Sequence, residues 1–162
     1  MRVTVTLSSS TPLSSFYASL IRRAIRQTLN LIPNKAKNPL KKQKGRLIIS
    51  VALVGEQTIK NLNRTYRKKD NPTDVLSFSR LENLPPNQAH VEIGDLIICL
   101  PVAKKQAKEY QQPLGRELER LTVHGTLHLF GYDHEKSKND ERIMFRLQDK
   151  ILNQLSSKHL KT

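Results

Sequence analysis

Apolar and polar residues recur along the chain with two different periods, which separate predicted strands from predicted helices. Residues alternate over Arg2–Leu7, as in a strand with one buried face. Nearly continuous apolar runs over Leu47–Val54 and Ile93–Leu100 predict buried strands, and Val75–Ser79 predicts a short fourth strand. The chain is therefore expected to form a four-stranded sheet.

Helical spacing of apolar residues accounts for most of the remaining chain. A first helix, capped by Ser14 or Ser15, is predicted to end near residue 30, and Pro101 suits the start of a third. Phe16 and Ile143 lie on predicted buried faces. The other predicted helices cover Gln57–Arg67, Pro113–Phe130 and Asn139–Leu155. The predicted strands come early in the chain and the last elements are helices. This order predicts one α+β domain over residues 1–162, with a mixed sheet covered by about five helices.

The chain is strongly basic, with 28 Lys and Arg against 14 Asp and Glu and a formal net charge of +14. Ten of the basic residues and no acidic one lie between Met1 and Ser50. This excess favours polyanion partners, because each phosphate that a cation neutralises releases condensed counterions. A cleavable transit peptide is the alternative for this stretch, but its strand and helix periodicity favours a folded segment.

Cysteine content and hydropathy exclude several classes of protein. The single cysteine, Cys99, excludes a disulfide framework and a cysteine-rich zinc ribbon, and it is typical of the reducing cytoplasm. No apolar run approaches the roughly 18 residues that a membrane helix needs, and the N-terminal segment lacks the apolar core of a secretory signal. A cytoplasmic protein without a membrane partner is expected.

The segment HGTLHLFGYDH, from His124 to His134, carries the pattern of a metal site. His124 and His128 are four residues apart, so on a helix both imidazoles project from one face. Gly131 can end that helix in a left-handed conformation and let His134 return to the same ion. Three neutral imidazoles predict an open zinc site, although nickel or copper would also bind. Asp133 could accept a hydrogen bond from a ligand or be a fourth ligand.

The spacing of histidines and glycine matches the metzincin pattern H-E-x-x-H-x-x-G-x-x-H. Gly125 stands where the general-base glutamate of those proteases would be. A peptidase would therefore need a carboxylate from another part of the chain.

These residues resemble a known family. The histidine segment, together with NRTYRKKDNPTDVLSF (63–78) and GDLIIC (94–99), is similar to the YbeY family of bacterial endoribonucleases. The motifs follow the family's order over about half of the chain, with Ser79 in place of a proline that many relatives carry. The resemblance implies one zinc ion held by His124, His128 and His134, and Arg67 as the functional arginine. It also implies cleavage of single-stranded RNA in maturation of the 3′ end of small-subunit ribosomal RNA and in ribosome quality control.

Basic residues near the predicted site are candidate contacts for that RNA. The guanidinium of Arg67 would stabilise the negative charge that develops on the phosphate oxygens. The alternative is a structural role, in which its charge complements the dipole at the C-terminus of the helix. Further candidate RNA contacts are Lys41, Lys42, Lys44, Lys68 and Lys69. The first three lie in a Pro- and Lys-rich loop over residues 32–45, for which a merely solvated loop is an equal alternative. Of two turn aspartates, Asp74 is favoured over Asp95 to face the cleft.

These residues suggest three candidate functions. The leading one is a zinc-dependent endoribonuclease that acts on ribosomal RNA at the ribosome. The second is a non-catalytic RNA-binding assembly factor with a structural zinc site, which would require a fourth protein ligand. The third is a metallopeptidase.

Overall fold

A four-stranded mixed sheet forms the centre of the computed structural model, which describes residues 3–33, 45–84 and 88–159. Its strands are β1 (Val3–Ser9), β2 (Arg46–Val54), β3 (Val75–Ser79) and β4 (His90–Cys99). The spatial order is β1-β2-β4-β3; β1, β2 and β4 are parallel, and β3 runs antiparallel at the edge. Lys41, Lys42 and Lys44 lie outside the described residues.

Five α-helices accompany the sheet in the described residues, which confirms the predicted α+β class. They are α1 (Ser15–Leu31), α2 (Glu56–Arg67), α3 (Leu100–Glu109), α4 (Leu114–Leu129) and α5 (Lys138–His159). Ser14 caps α1, where its Oγ accepts a hydrogen bond from the Tyr17 amide at 3.4 Å. β4 begins earlier than the predicted Ile93, because pairing with β2 starts at His90 opposite Arg46.

Helix α4 lies in the middle of the core and contacts both the sheet and the other long helices. Its Leu118 and Leu121 belong to the main apolar cluster with the strands and α1. Its Val123 and Leu127 belong to a second cluster with Met144 and other residues of α5. A helix packed on several sides is a rigid support for the side chains that it carries. Among the described residues, no helix combines the length and hydropathy of a membrane span.

Two side chains predicted to be buried are instead exposed. Phe16, in the first turn of α1, is 58% exposed, and Ile143 of α5 is 46% exposed. The buried stripe of α5 follows Met144, Ile151 and Leu155. Because consecutive residues are about 100° apart around a helix, Ile143 lies to one side of that stripe. The prediction for these two residues was wrong.

Candidate metal centre

The structure brings together the three histidines that the sequence motif singled out. His124 and His128 lie one turn apart on α4, and His134 lies in the segment that follows the helix. One ring nitrogen from each imidazole lies within 4.8 Å of those of the other two. The Nε2 atoms of His124 and His128 are 3.1 Å apart. This convergence is the arrangement that three imidazole ligands of one metal ion require.

A glycine turn after α4 returns His134 to the other two rings. Gly131 has φ +82°, a left-handed conformation that glycine adopts without a Cβ penalty. Its amide donates to the carbonyl oxygen of His128 at 3.0 Å, and the amide of Tyr132 donates to that of Leu127 at 3.1 Å. These bonds end the helix with its last carbonyls satisfied and reverse the chain, as the sequence predicted.

Gln148 of α5 orients one of the rings, and sequence reasoning missed it. Its side chain is buried, and its Oε1 lies 2.9 Å from Nδ1 of His124. An amide oxygen can only accept, so Nδ1 carries the proton and Nε2 keeps its lone pair for a metal. The sequence feature that could have identified Gln148 is its polar side chain at a position between Met144 and Ile151 on the buried stripe of α5.

The imidazoles of His124 and His128 are held in the neutral form that binds metals. Burial lowers the pKa of His124 below its usual value. Burial, together with the neighbouring rings of His124 and His134, lowers the pKa of His128 to about 4. Neutral nitrogen donors with this geometry fit a divalent ion such as zinc.

Asp133 does not join the three histidines in the group that could hold a metal. Its Oδ1 accepts a hydrogen bond from the amide of Glu135 at 2.9 Å. That bond is the main reason that the pKa of the Asp133 carboxyl lies below its usual value. Asp133 therefore shapes the loop that carries His134.

The histidines lie in the wall of a cavity of about 850 Å³. Residues from α2, the turn after it, β3, α4, α5 and the loop before α5 form this wall. Arg67, the last residue of α2, lines the cavity, and its Nη2 lies 3.7 Å from Oε2 of Glu135. The candidate arginine and the three imidazoles thus share one cavity.

The turn after α2 separates the two neighbouring lysines that the sequence could not distinguish. Lys69 lines the cavity, whereas Lys68 does not. Lys68 has a left-handed backbone with φ 59°, and its Nζ donates to the carbonyl oxygen of Thr65 at 3.1 Å. Asn63 holds the turn, because its Nδ2 donates to the carbonyl oxygen of Asn71 at 2.8 Å.

A second guanidinium, that of Arg120, lines the same cavity one helical turn before His124. Its Nη2 pairs with the buried Glu117 at 2.6 Å and lies 3.8 Å from Oδ2 of Asp74. The bond to Glu117 raises the pKa of Arg120. Asp74 lines the cavity, as expected, whereas Asp95 pairs with Arg80 at 2.8 Å and does not.

Close packing of α4 against the sheet explains why glycine occupies position 125. A Cβ there would lie 2.2 Å from Cδ1 of Leu96 and 3.0 Å from Oγ of Ser77. The same Oγ donates to the carbonyl oxygen of Gly125 at 3.0 Å. A glutamate at this position would force Leu96 and Ser77 to shift within a filled core, which disfavours the general base of the metzincin pattern in this helix.

We expect Gly125→Ala to lower the free energy of unfolding by about 1–3 kcal/mol, because added atoms force a filled core to shift. Urea denaturation measures this change. Gly55→Ala is the matched control, since a Cβ at Gly55 meets no heavy atom within 4 Å. That control should change stability by less than about 1 kcal/mol. Equal losses in the two variants would contradict the close approach of α4 to the sheet.

Comparison with known proteins finds a matching family model, similar curated proteins and a similar solved structure. The family model described as "Endoribonuclease YbeY" matches residues 12–156. The chain is 49% identical over 109 residues to Endoribonuclease YbeY of Persephonella marina, covering 67% of this chain and 71% of that protein. It is 44% identical over 108 residues to the Aquifex aeolicus protein of that name, covering 67% and 70%. The solution structure of TM1509 from Thermotoga maritima superposes with a TM-score of 0.60 at 25% identity, covering 98% of this chain and 93% of that one.

Proposed function

This chain belongs to the YbeY endoribonuclease family, and we propose that it cuts single-stranded RNA with the help of one zinc ion. The observation that carries the proposal is the convergence of three imidazoles beside Arg67 in one cavity. Ribosomal RNA is the proposed substrate, at the 3′ end of the small-subunit RNA and in ribosome quality control. A cytoplasmic place of action, at the ribosome, follows from that substrate. Residues 1–162 are proposed to act as one domain.

We assign His124, His128 and His134 as the zinc ligands and Arg67 as the catalytic cation. Zinc bound there would supply Lewis-acid stabilisation of phosphate oxygens and would acidify water. Gln148 holds His124 with Nε2 free, and α4 holds His128 beside it. The Arg67 guanidinium would donate hydrogen bonds to the phosphate as negative charge develops on it. Lys69, in the same cavity, is a candidate contact for a neighbouring phosphate.

The two alternative functions have less support. A structural zinc site is normally closed by four protein ligands, usually including cysteine. In the described parts of the chain, the group that could hold a metal consists of three histidines, and Cys99 is buried in a separate cluster with Ile59 and Leu76. A peptidase of the metzincin kind would need a glutamate where Gly125 contacts the sheet.

The test is a cleavage assay with purified full-length protein on one RNA sequence, either unpaired or annealed to its complement. We expect about one zinc per chain by elemental analysis and cleavage of the unpaired RNA alone. EDTA should abolish cleavage and added zinc should restore it. Casein serves as a substrate control and should stay intact. Cleavage that survives complete removal of metal, or a protein without zinc, would overturn the proposal.

A further inference from the structure

Two aromatic rings of the cavity wall are exposed to solvent. Tyr66, next to Arg67 on α2, is 64% exposed, and Phe145 of α5 is 36% exposed. Neither ring belongs to an apolar core cluster of the described residues, and the surface that each leaves in water gains nothing from the hydrophobic effect. They lie in the wall that also holds the histidines.

Neighbouring rings contact both of them. Tyr66 meets Phe78 edge to face, with ring centroids 5.0 Å apart and an interplanar angle of 65°. Phe145 stacks on His134, with centroids 5.6 Å apart and an angle of 23°. Such contacts restrict the side-chain rotamers, which lowers the entropy cost of binding another flat group.

Charged groups of the cavity wall and the charge of the chain indicate what would cover these rings. Three cations (Arg67, Lys69 and Arg120) and three carboxylates (Asp74, Asp133 and Glu135) line the cavity, so their formal charges balance, and the positive excess belongs to the whole chain, with a net charge of +14. Cationic side chains together with exposed aromatic rings are the combination with which proteins bind single-stranded nucleic acid. Cations contact phosphates, and aromatic rings stack on bases.

We propose that Tyr66 and Phe145 each stack on an unpaired base of the RNA, close to the phosphate that is cut. This inference rests on the proposed function and deepens it, because it explains the preference for single strands. A base inside a duplex is stacked between its neighbours and cannot present a face to a side chain. Unpaired RNA is therefore the form that the cavity selects.

The test is a mutant cycle between enzyme and substrate. Zinc-loaded full-length protein is assayed on an unpaired RNA and on copies with one abasic nucleotide before or after the cleaved phosphate. Loss of a stacked base should raise KM about tenfold in the wild type. Tyr66→Leu and Phe145→Leu should raise KM for intact RNA by a similar factor, and each should cancel the effect of one abasic position.

Binding is measured separately, without cleavage. The base at each flanking position is replaced with 2-aminopurine, whose fluorescence falls when it stacks, and EDTA keeps the RNA intact. The fall in fluorescence should be lost in the leucine variants and largely kept in Tyr66→Phe and Phe145→Tyr, which retain a ring. Phe16→Leu removes an exposed ring of α1 that does not line the cavity, so it should change neither measurement.

The outcomes separate this inference from the proposed function. If wild-type protein cuts RNA but neither the leucine variants nor the abasic RNAs change KM or fluorescence, base stacking is overturned and cleavage stands. If wild-type protein cuts no RNA, the proposed function fails, and the fluorescence experiment still decides whether the rings bind bases. The abasic RNAs and the ring-retaining variants keep the test valid should a leucine variant fold poorly.

Discussion

Replacing His128 with alanine is expected to remove the zinc and to lower RNA cleavage by about 10³-fold or more, since metal catalysis supplies several kcal/mol. The Nε2 atom of His128 lies 3.1 Å from that of His124, so its loss would leave two of three proposed ligands. Elemental analysis measures the metal, and single-turnover assays with saturating protein measure cleavage. Circular dichroism should show a retained fold, because the His128 ring lies in the cavity wall.

His90→Ala is the matched control for this variant. His90 is an exposed histidine at the first position of β4, and it is outside the cluster that could hold a metal. That variant should keep about one zinc per chain and the cleavage rate of the wild type. A His128→Ala protein that retained stoichiometric zinc would contradict the ligand assignment, whatever its activity.

The cluster of three histidines could be predicted from the sequence because its geometry is local. An i, i+4 pair on a helix fixes two rings on one face, and a glycine three residues later allows the chain to reverse. Both features depend on residues within one short segment, from His124 to His134. The strands and helices could be predicted for the same reason, since apolar periodicity is a property of neighbouring residues.

The surroundings of the cluster depend on contacts between distant segments, which periodicity does not report. Gln148 reaches His124 from another helix, and Arg120 faces the cavity because buried Glu117 holds it there. The exposure of Tyr66 and Phe145 depends on where α2 and α5 pack against the sheet and α4. Lys69 lines the cavity and Lys68 does not, because Lys68 has a left-handed backbone in the turn. In each case tertiary packing decides the role of a residue that the sequence leaves open.

Arg67→Ala is expected to lower kcat for RNA cleavage by about 10²–10³-fold while zinc stays bound, because it would remove the cation that we propose to stabilise the developing phosphate charge. The Arg67 side chain is 41% exposed and that of its partner Glu135 is 61% exposed, and Nη2 of Arg67 lies 3.7 Å from Oε2 of Glu135. Such a pair contributes about 1 kcal/mol at most, so loss of fold would not explain lost cleavage. Arg67→Lys should have an intermediate rate, because an ammonium keeps the charge but not the planar pair of donors.

Arg64→Ala is the matched control for the Arg67→Ala variant. Arg64 is on the same helix, carries the same charge and is 60% exposed, but it does not line the cavity. Both substitutions lower the net charge of the chain by one, so any effect on long-range attraction of RNA should be similar in the two variants. A loss confined to Arg67→Ala therefore reports position relative to the histidines. Equal losses in kcat would assign Arg67 to general electrostatics and leave the catalytic cation to be sought at Arg120.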